Sequence, residues 1–174
     1  MNLDLKTLAK RIENCRLCRL WKNRKKAVPG EGPENAKIML IGQAPGKQED
    51  ATGRPFVGRA GKFLNALLDE IGLDRRKCFI TSVVKCFPPK NRPPRADEAK
   101  ICIENYLAKQ IELVNPKLVV LLGRIAQRYV PESLLSGRIV LRTAHPAAGM
   151  RFPKIRKKMK RDFSLLKRLI GEIS

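Results

Sequence analysis

Four short aliphatic runs, separated by stretches long enough for helices, most constrain what this chain can fold into. Lys37-Ile-Met-Leu-Ile-Gly42, Phe79-Ile-Thr-Ser-Val-Val84 and Lys117-Leu-Val-Val-Leu-Leu-Gly123 read as strands buried on both faces, with Arg138-Ile-Val-Leu-Arg-Thr143 as a weaker fourth. Between the first two, Gly61 to Ile71 has helical apolar spacing and stops at Gly72; between the next two, Asp97 to Val114 is helical as far as Asn115-Pro116. The tail from Lys154 to Leu169 keeps a helical period through Ile155, Met159, Phe163, Leu166 and Ile170, which predicts a docked helix with a basic outer face. The alternation predicts an α/β fold, a three-layer α/β/α sandwich around a central, mostly parallel four-stranded sheet. At 174 residues the chain has the size of one domain, expected to span 1–174.

In such sheets the ligand crevice lies beyond the carboxyl ends of the strands. The residues just after the strands are Gly42-Gln-Ala-Pro-Gly46, Lys85-Cys-Phe-Pro-Pro89, Gly123-Arg124 and Ala144-His-Pro146, so the unusual residues of the chain converge on one edge. His145 is the single histidine. A lone histidine is more often structural than catalytic, but a strand-end position favours function. The Gly42 to Lys47 turn is followed by Glu49 and Asp50; it lacks the G-x4-G-K-S/T pattern of a P-loop.

Four of the five cysteines read as a ligand set. Cys15 and Cys18 form a C-x2-C pair, and Cys86 and Cys102 have fifteen residues between them, including the proline-rich Phe87 to Pro94. Zinc and iron–sulfur centres both accept four thiolates, although zinc ribbons usually supply two tight pairs and only one is tight here. Buried small hydrophobes and a redox dithiol are the blander alternatives, the latter weakened because the pair follows a helix-like stretch. Cys78, at the start of an apolar run, reads as a core residue.

Thirty-seven Lys and Arg against sixteen Asp and Glu give a formal charge of +21, which points to a polyanionic partner, nucleic acid before anionic membrane. The basic stripe of the tail, with Lys157, Lys158 and Arg161, is expected to track phosphates. The N-terminal dozen residues lack the apolar core of a signal peptide and no aliphatic run could span a bilayer, so a cytoplasmic location is expected and membrane association is not.

Taken together the motifs resemble the family 4 uracil-DNA glycosylases, the thermophile-type iron–sulfur members of the uracil-DNA glycosylase superfamily. The likeness runs along nearly the whole chain: the paired N-terminal cysteines, G-x-A-P-G-x-x-E-D at Gly42 to Asp50, Thr52-Gly-Arg-Pro-Phe-Val-Gly-Arg-Ala-Gly61, Thr81-Ser-Val-Val-Lys-Cys86 and His145-Pro-Ala147. The resemblance implies a 4Fe-4S cluster on Cys15, Cys18, Cys86 and Cys102, structural rather than redox in role, and hydrolysis of the N-glycosidic bond of deoxyuridine to leave an abasic site. The expected substrate is uracil-containing DNA, single- or double-stranded, acted on by a monomer, with a sliding clamp as a candidate partner. A glycosylase for another deaminated base such as hypoxanthine, and a catalytically idle uracil-DNA-binding relative, are the alternatives.

That chemistry needs the base flipped into a pocket, a positioned water and stabilisation of two developing charges. Phe56 is the expected platform for the flipped base. Glu49 is expected to orient water or support the sugar cation, with Asp50 as its substitute, and His145 to donate to the uracil oxygen. Backbone amides around Gly42 and Gln43 are candidate second donors. Met150 is the candidate wedge into the vacated stack and Arg151 the phosphate contact. Family members commonly carry Glu where this chain has Gln43 and Asn where it has Ser82, which bears on substrate range. A serine hydroxyl has one proton to donate, so at the base-reading position Ser82 is expected to secure only part of the contacts an amide would make.

Overall fold

The computed structural model describes residues 2–174, so Met1 lies outside it. Helix α1 (Leu5–Glu13) starts where the Asp4 carboxylate accepts the Thr7 N–H at 2.7 Å, and it buries Leu8 and Ile12. Then follow β1 (Ile38–Gly42), α2 (Lys47–Thr52), α3 (Arg59–Glu70), β2 (Cys78–Ser82), α4 (Ala96–Cys102), α5 (Ala108–Val114) and β3 (Leu118–Leu122). The chain finishes with α6 (Arg124–Tyr129), α7 (Glu132–Leu135), β4 (Ile139–Thr143), α8 (Pro146–Arg151) and α9 (Pro153–Ile173).

The four strands make one sheet in the order β2-β1-β3-β4, parallel throughout. Every residue of β1, β2 and β3 is buried, because both faces of the sheet are covered. Strand residues alternate between two cores. Met39, Ile41, Val119 and Leu121 face α1, α5 and α6, and Leu40, Ile80, Val120 and Leu122 face α3 and α9. The expected sandwich is therefore present, wholly rather than mostly parallel. β4 is the half-covered edge, and its mixed burial is why its sequence signal is weaker.

Boundaries differ from the sequence expectation where side chains redirect the backbone. β2 ends at Ser82 rather than Val84: the Ser82 hydroxyl donates to Val84 O at 2.6 Å and Lys85 Nζ donates to Ser82 O at 2.6 Å, curling the chain out of the strand. The expected helix from Asp97 to Val114 is continuous in direction but contains a π-helical turn over Ile103–Leu107, directly after Cys102. Such wide turns cluster at functional sites. Asn115 then ends it in the left-handed region, with φ 53° before Pro116. Among the described residues no helix is long and apolar enough to cross a membrane.

Candidate active site

A cavity of about 570 Å³ opens at the carboxyl edge of the sheet, where the ends of β2 and β1 lie side by side and that of β4 follows across β3. Its wall includes Gln43 after β1, Ser82 at the end of β2, His145 after β4, and Glu49 and Phe56 from the α2–α3 segment. Residues far apart in sequence thus meet because parallel strands all deliver their exits to the same edge.

Phe56 is held in an unusual conformation. Its φ is +47°, a region that bulky residues avoid at a cost of about 1–3 kcal/mol. Two clamps hold it there. The half-buried Arg75 guanidinium donates to Phe56 O at 2.6 Å, to Pro55 O and to Asn65 Oδ1 at 2.9 Å. On the other side the Glu49 carboxylate accepts the N–H groups of Val57 at 2.8 Å and Gly58 at 2.7 Å. Glycines make the close approach possible: a Cβ on Gly61 would stand 1.9 Å from Phe56 O, and one on Gly42 would stand 2.6 Å from the Phe56 ring. Gly42 therefore serves by clearance and does not line the cavity, unlike its expected role beside Gln43 as a base-contacting amide.

His145 caps the N-terminus of α8. Its Nδ1 accepts the Ala147 N–H at 3.1 Å, so in the neutral ring the proton sits on Nε2. Burial lowers its pKa to about 4, against a smaller opposing pull from the Glu49 charge. The ring lies 5.8 Å from that of Phe56 at an interplanar angle of 30°. A neutral imidazole with a fixed Nε2–H donor thus stands beside an aromatic platform.

The carboxylates are committed to the fold more than the sequence reading allowed. Glu49 Oε1 also accepts Gly46 N–H at 2.9 Å, so three backbone donors use three of roughly four lone-pair sites. Asp50 is buried, does not line the cavity, and accepts Lys25 N–H at 2.8 Å. Its expected part as Glu49's substitute is corrected: the side chain points away from the cavity to anchor the Lys25 loop. Ser82 lines the cavity, and its one hydroxyl proton goes to Val84 O at 2.6 Å.

On α8, Met150 is partly buried and the exposed large apolar side chain is the neighbouring Phe152, with the Arg151 guanidinium 5.3 Å from its ring. The sequence reading did not single out Phe152. Lys157 and Arg161 are exposed on α9, while Lys158 pairs with Asp162 at 3.1 Å. Sequence reasoning also missed Arg75 and Asn91, the latter reaching the cavity wall from the proline-rich loop with φ +55°. No local pattern marks either one.

A second cavity lies between α1, the turn after β2 and α4, and Cys15, Cys18, Cys86 and Cys102 all line it. All four are free of disulfides. Cys15 Sγ accepts Leu17 N–H and Cys86 Sγ accepts from Arg24 Nη1, both at 3.4 Å. Burial raises the pKa of Cys18 and Cys86 and pushes that of Cys102 to about 12, so these stay neutral thiols until a cation draws them. Four thiolates about 2.3 Å from one zinc would crowd to within about 4 Å of each other. No three His, Cys, Asp or Glu side chains among the described residues converge closely enough to hold a single ion. Four thiols lining one cavity are a donor set of the type that zinc and iron–sulfur centres both accept. Cys78 lies in the core opposite, as expected.

The fold, the strand-edge cavity and the cysteine set define a class. Residues 29–166 match the family model of the uracil DNA glycosylase superfamily, and the chain belongs to that superfamily. It is 43% identical to the Type-4 uracil-DNA glycosylase of Saccharolobus solfataricus, over 98% of this chain and 87% of that one. With the Type-4 uracil-DNA glycosylase of Archaeoglobus fulgidus the identity is 37%, over 97% and 94% of the two chains. A Type-5 uracil-DNA glycosylase from Thermus thermophilus is 34% identical over 83% of this chain and 78% of its own.

Proposed function

We propose that this protein removes uracil from DNA by hydrolysing the N-glycosidic bond, leaving an abasic site for repair. The observation that carries this reading is the neutral His145 ring, its Nε2–H free of the Nδ1 contact, set beside Phe56 at the strand edge. A flipped uracil stacked on Phe56 would bring a carbonyl oxygen to that donor. As the C1′–N bond breaks, the electron pair leaves with the base, and a fixed donor stabilises the resulting anion more than the neutral ground state. The water oxygen bonds to C1′ from the opposite side, its proton passing to solvent while the departing base anion takes one up, and the one lone-pair site that Glu49 keeps can orient the water. Phe152 would fill the vacated stack, and Arg151, Lys157, Lys158 and Arg161 would meet phosphates on this strongly positive protein.

Cys15, Cys18, Cys86 and Cys102 would hold a 4Fe-4S cluster. When bound, the cluster supplies a covalent tie between the N-terminal segment, the exit of β2 and α4. Lys85 links this tie to the active site, since its fully buried ammonium donates to Thr81 Oγ1 at 2.6 Å, Ser82 O at 2.6 Å and Gln110 Oε1 at 2.8 Å.

The direct test is to incubate the purified protein with end-labelled single- and double-stranded oligonucleotides carrying one uracil, cleave abasic sites with alkali and look for the shortened product. Strand scission at the uracil is expected, and intact oligonucleotide would overturn the reading. The cluster is tested separately. Aerobically purified protein should absorb broadly in the visible range and carry about four irons per chain. Cys86→Ala should lose the colour and Cys78→Ala should keep it; stoichiometric zinc without iron in the native protein would overturn the assignment.

A further inference from the structure

We propose that Arg24 is a positioning residue for the cysteine set: its guanidinium joins the two halves of that set and donates to a ligand sulfur, so that the centre keeps its metal. This rests on the reading of Cys15, Cys18, Cys86 and Cys102 as ligands. The set is split in the chain, with Cys15 and Cys18 just after α1, Cys86 after β2 and Cys102 at the end of α4. Arg24 spans the split. Its Nη1 donates to Cys15 O at 2.6 Å and to Cys86 Sγ at 3.4 Å, and its Nη2 donates to Glu13 O at 3.0 Å. Among the described residues it is the one side chain that donates to any of the four sulfurs.

The hydrogen-bond partners of Arg24 are carbonyl oxygens and sulfur, with no carboxylate among them. Thiols that lose their protons to a metal bring negative charge to the site. Lys85, the cation in the wall of the cysteine cavity, spends its donors on Thr81 Oγ1, Ser82 O and Gln110 Oε1, so Arg24 is the cation that faces sulfur. Its segment is moored at both ends. Lys25 N–H donates to the buried Asp50 carboxylate at 2.8 Å, and Val28 N–H donates at 2.7 Å to the carbonyl of Lys85, the residue before Cys86. A planar fork on a fixed stem reaches a carbonyl and a sulfur together, whereas a lysine ammonium is a point charge on a flexible chain.

The blander role is a cap for α1, whose last residue is Glu13 and whose final carbonyls lack partners within the helix. A cap needs the two carbonyl contacts and has no use for the sulfur. Groups just outside a ligand set hold the ligands in orientation, and losing one typically costs about 10–100-fold in metal affinity. Hydrogen bonds to cysteine sulfur also set the potential of an iron–sulfur centre. Metal retention and potential therefore separate the two roles, since a cap changes neither.

The experiment purifies wild type, Arg24→Gln, Arg24→Lys and, as a control at an exposed arginine, Arg76→Gln with their metal, then follows its release to excess bathophenanthroline for iron or pyridylazoresorcinol for zinc. Release from Arg24→Gln should be roughly ten-fold faster or more, Arg24→Lys should fall between it and wild type, and Arg76→Gln should match wild type. With iron bound, Arg24→Gln should also show a more negative reduction potential in film voltammetry, because the electron-rich reduced centre loses a donor. A lower melting temperature in Arg24→Gln with release and potential both unchanged would leave only a helix cap and overturn the proposal. If Arg24→Gln does not fold, Arg24→Lys carries the test, and release at the wild-type rate would then count against the proposal. Wild type holding zinc would overturn the 4Fe-4S reading while the release ratio still decides the part of Arg24; wild type holding no metal would overturn both.

Discussion

Replacing His145 with alanine should slow single-turnover uracil excision by roughly 100-fold or more, the usual loss for one preorganised donor to a developing oxyanion, with little change in affinity for uracil-containing DNA. The size follows from geometry. Because Nδ1 is held by Ala147 N–H, the donor proton stays on Nε2 and the ring needs no reorganisation as the base becomes an anion. Because burial depresses the pKa to about 4, the ring is neutral through the whole physiological range. The rate should therefore show no inflection near pH 6.5 attributable to this residue and should fall only as pH approaches 4. Stability carries the same signature: an unfolded histidine titrates near pH 6.5 and the folded one near 4. The contribution of His145 is then present above pH 6.5 and lost as pH falls toward 4, because the unfolded chain binds the proton first. His145→Ala should flatten that slope in a thermal denaturation series. A rate that falls as pH rises through about 6.5, in a limb that is absent from the variant, would mean that an imidazolium is the donor.

Glu49→Gln should damage fold and activity together, more than a water-orienting role alone would require. The carboxylate accepts from Gly46, Val57 and Gly58, whereas a glutamine side chain has one acceptor oxygen and would aim its NH2 at donors. Taking two weakened charge-assisted bonds at about 1.5 kcal/mol each, the cost is about 3 kcal/mol. For a chain of this length that is roughly 6–12 °C in melting temperature. The Phe56 loop would lose one of its two clamps, so excision should fall by at least roughly ten-fold, with weaker discrimination between uracil-containing and ordinary DNA. Melting temperature and selectivity both unchanged, with only the rate reduced, would return Glu49 to a purely catalytic part. Asp50→Asn should lower the melting temperature with a smaller effect on the rate, since Asp50 holds Lys25 N–H outside the cavity.

Much of this was legible in the residues alone. The aliphatic runs located all four strands to within a residue or two, and the strand-end rule brought Gln43 and His145 to one edge. Those inferences succeed because a parallel sheet buried on both faces imposes a one-dimensional signal, a short continuous apolar run, and because every strand must then exit on the same side. The pairing of Cys15 and Cys18 with Cys86 and Cys102 is legible for a related reason: a thiol set needs particular residue types, and few are available.

What the sequence could not determine is how each polar group spends its hydrogen bonds. Asp50 and Glu49 are adjacent and chemically alike, yet one faces the Lys25 loop and the other ties the Phe56 loop to α2. Ser82 becomes an acceptor because a carbonyl two residues away claims its proton, and His145 becomes an Nε2 donor because Ala147 occupies Nδ1. Arg75 and Phe152 acquire their parts only by where α3 and α8 come to rest. Apolar burial is roughly additive in surface and follows the periodicity of the chain, whereas a hydrogen bond depends on direction and on competition among partners brought together by the fold. The sequence by itself therefore determined the sheet, its functional edge and the supply of chemical groups, and only the tertiary structure decided which lone pairs and protons remain free to meet a base.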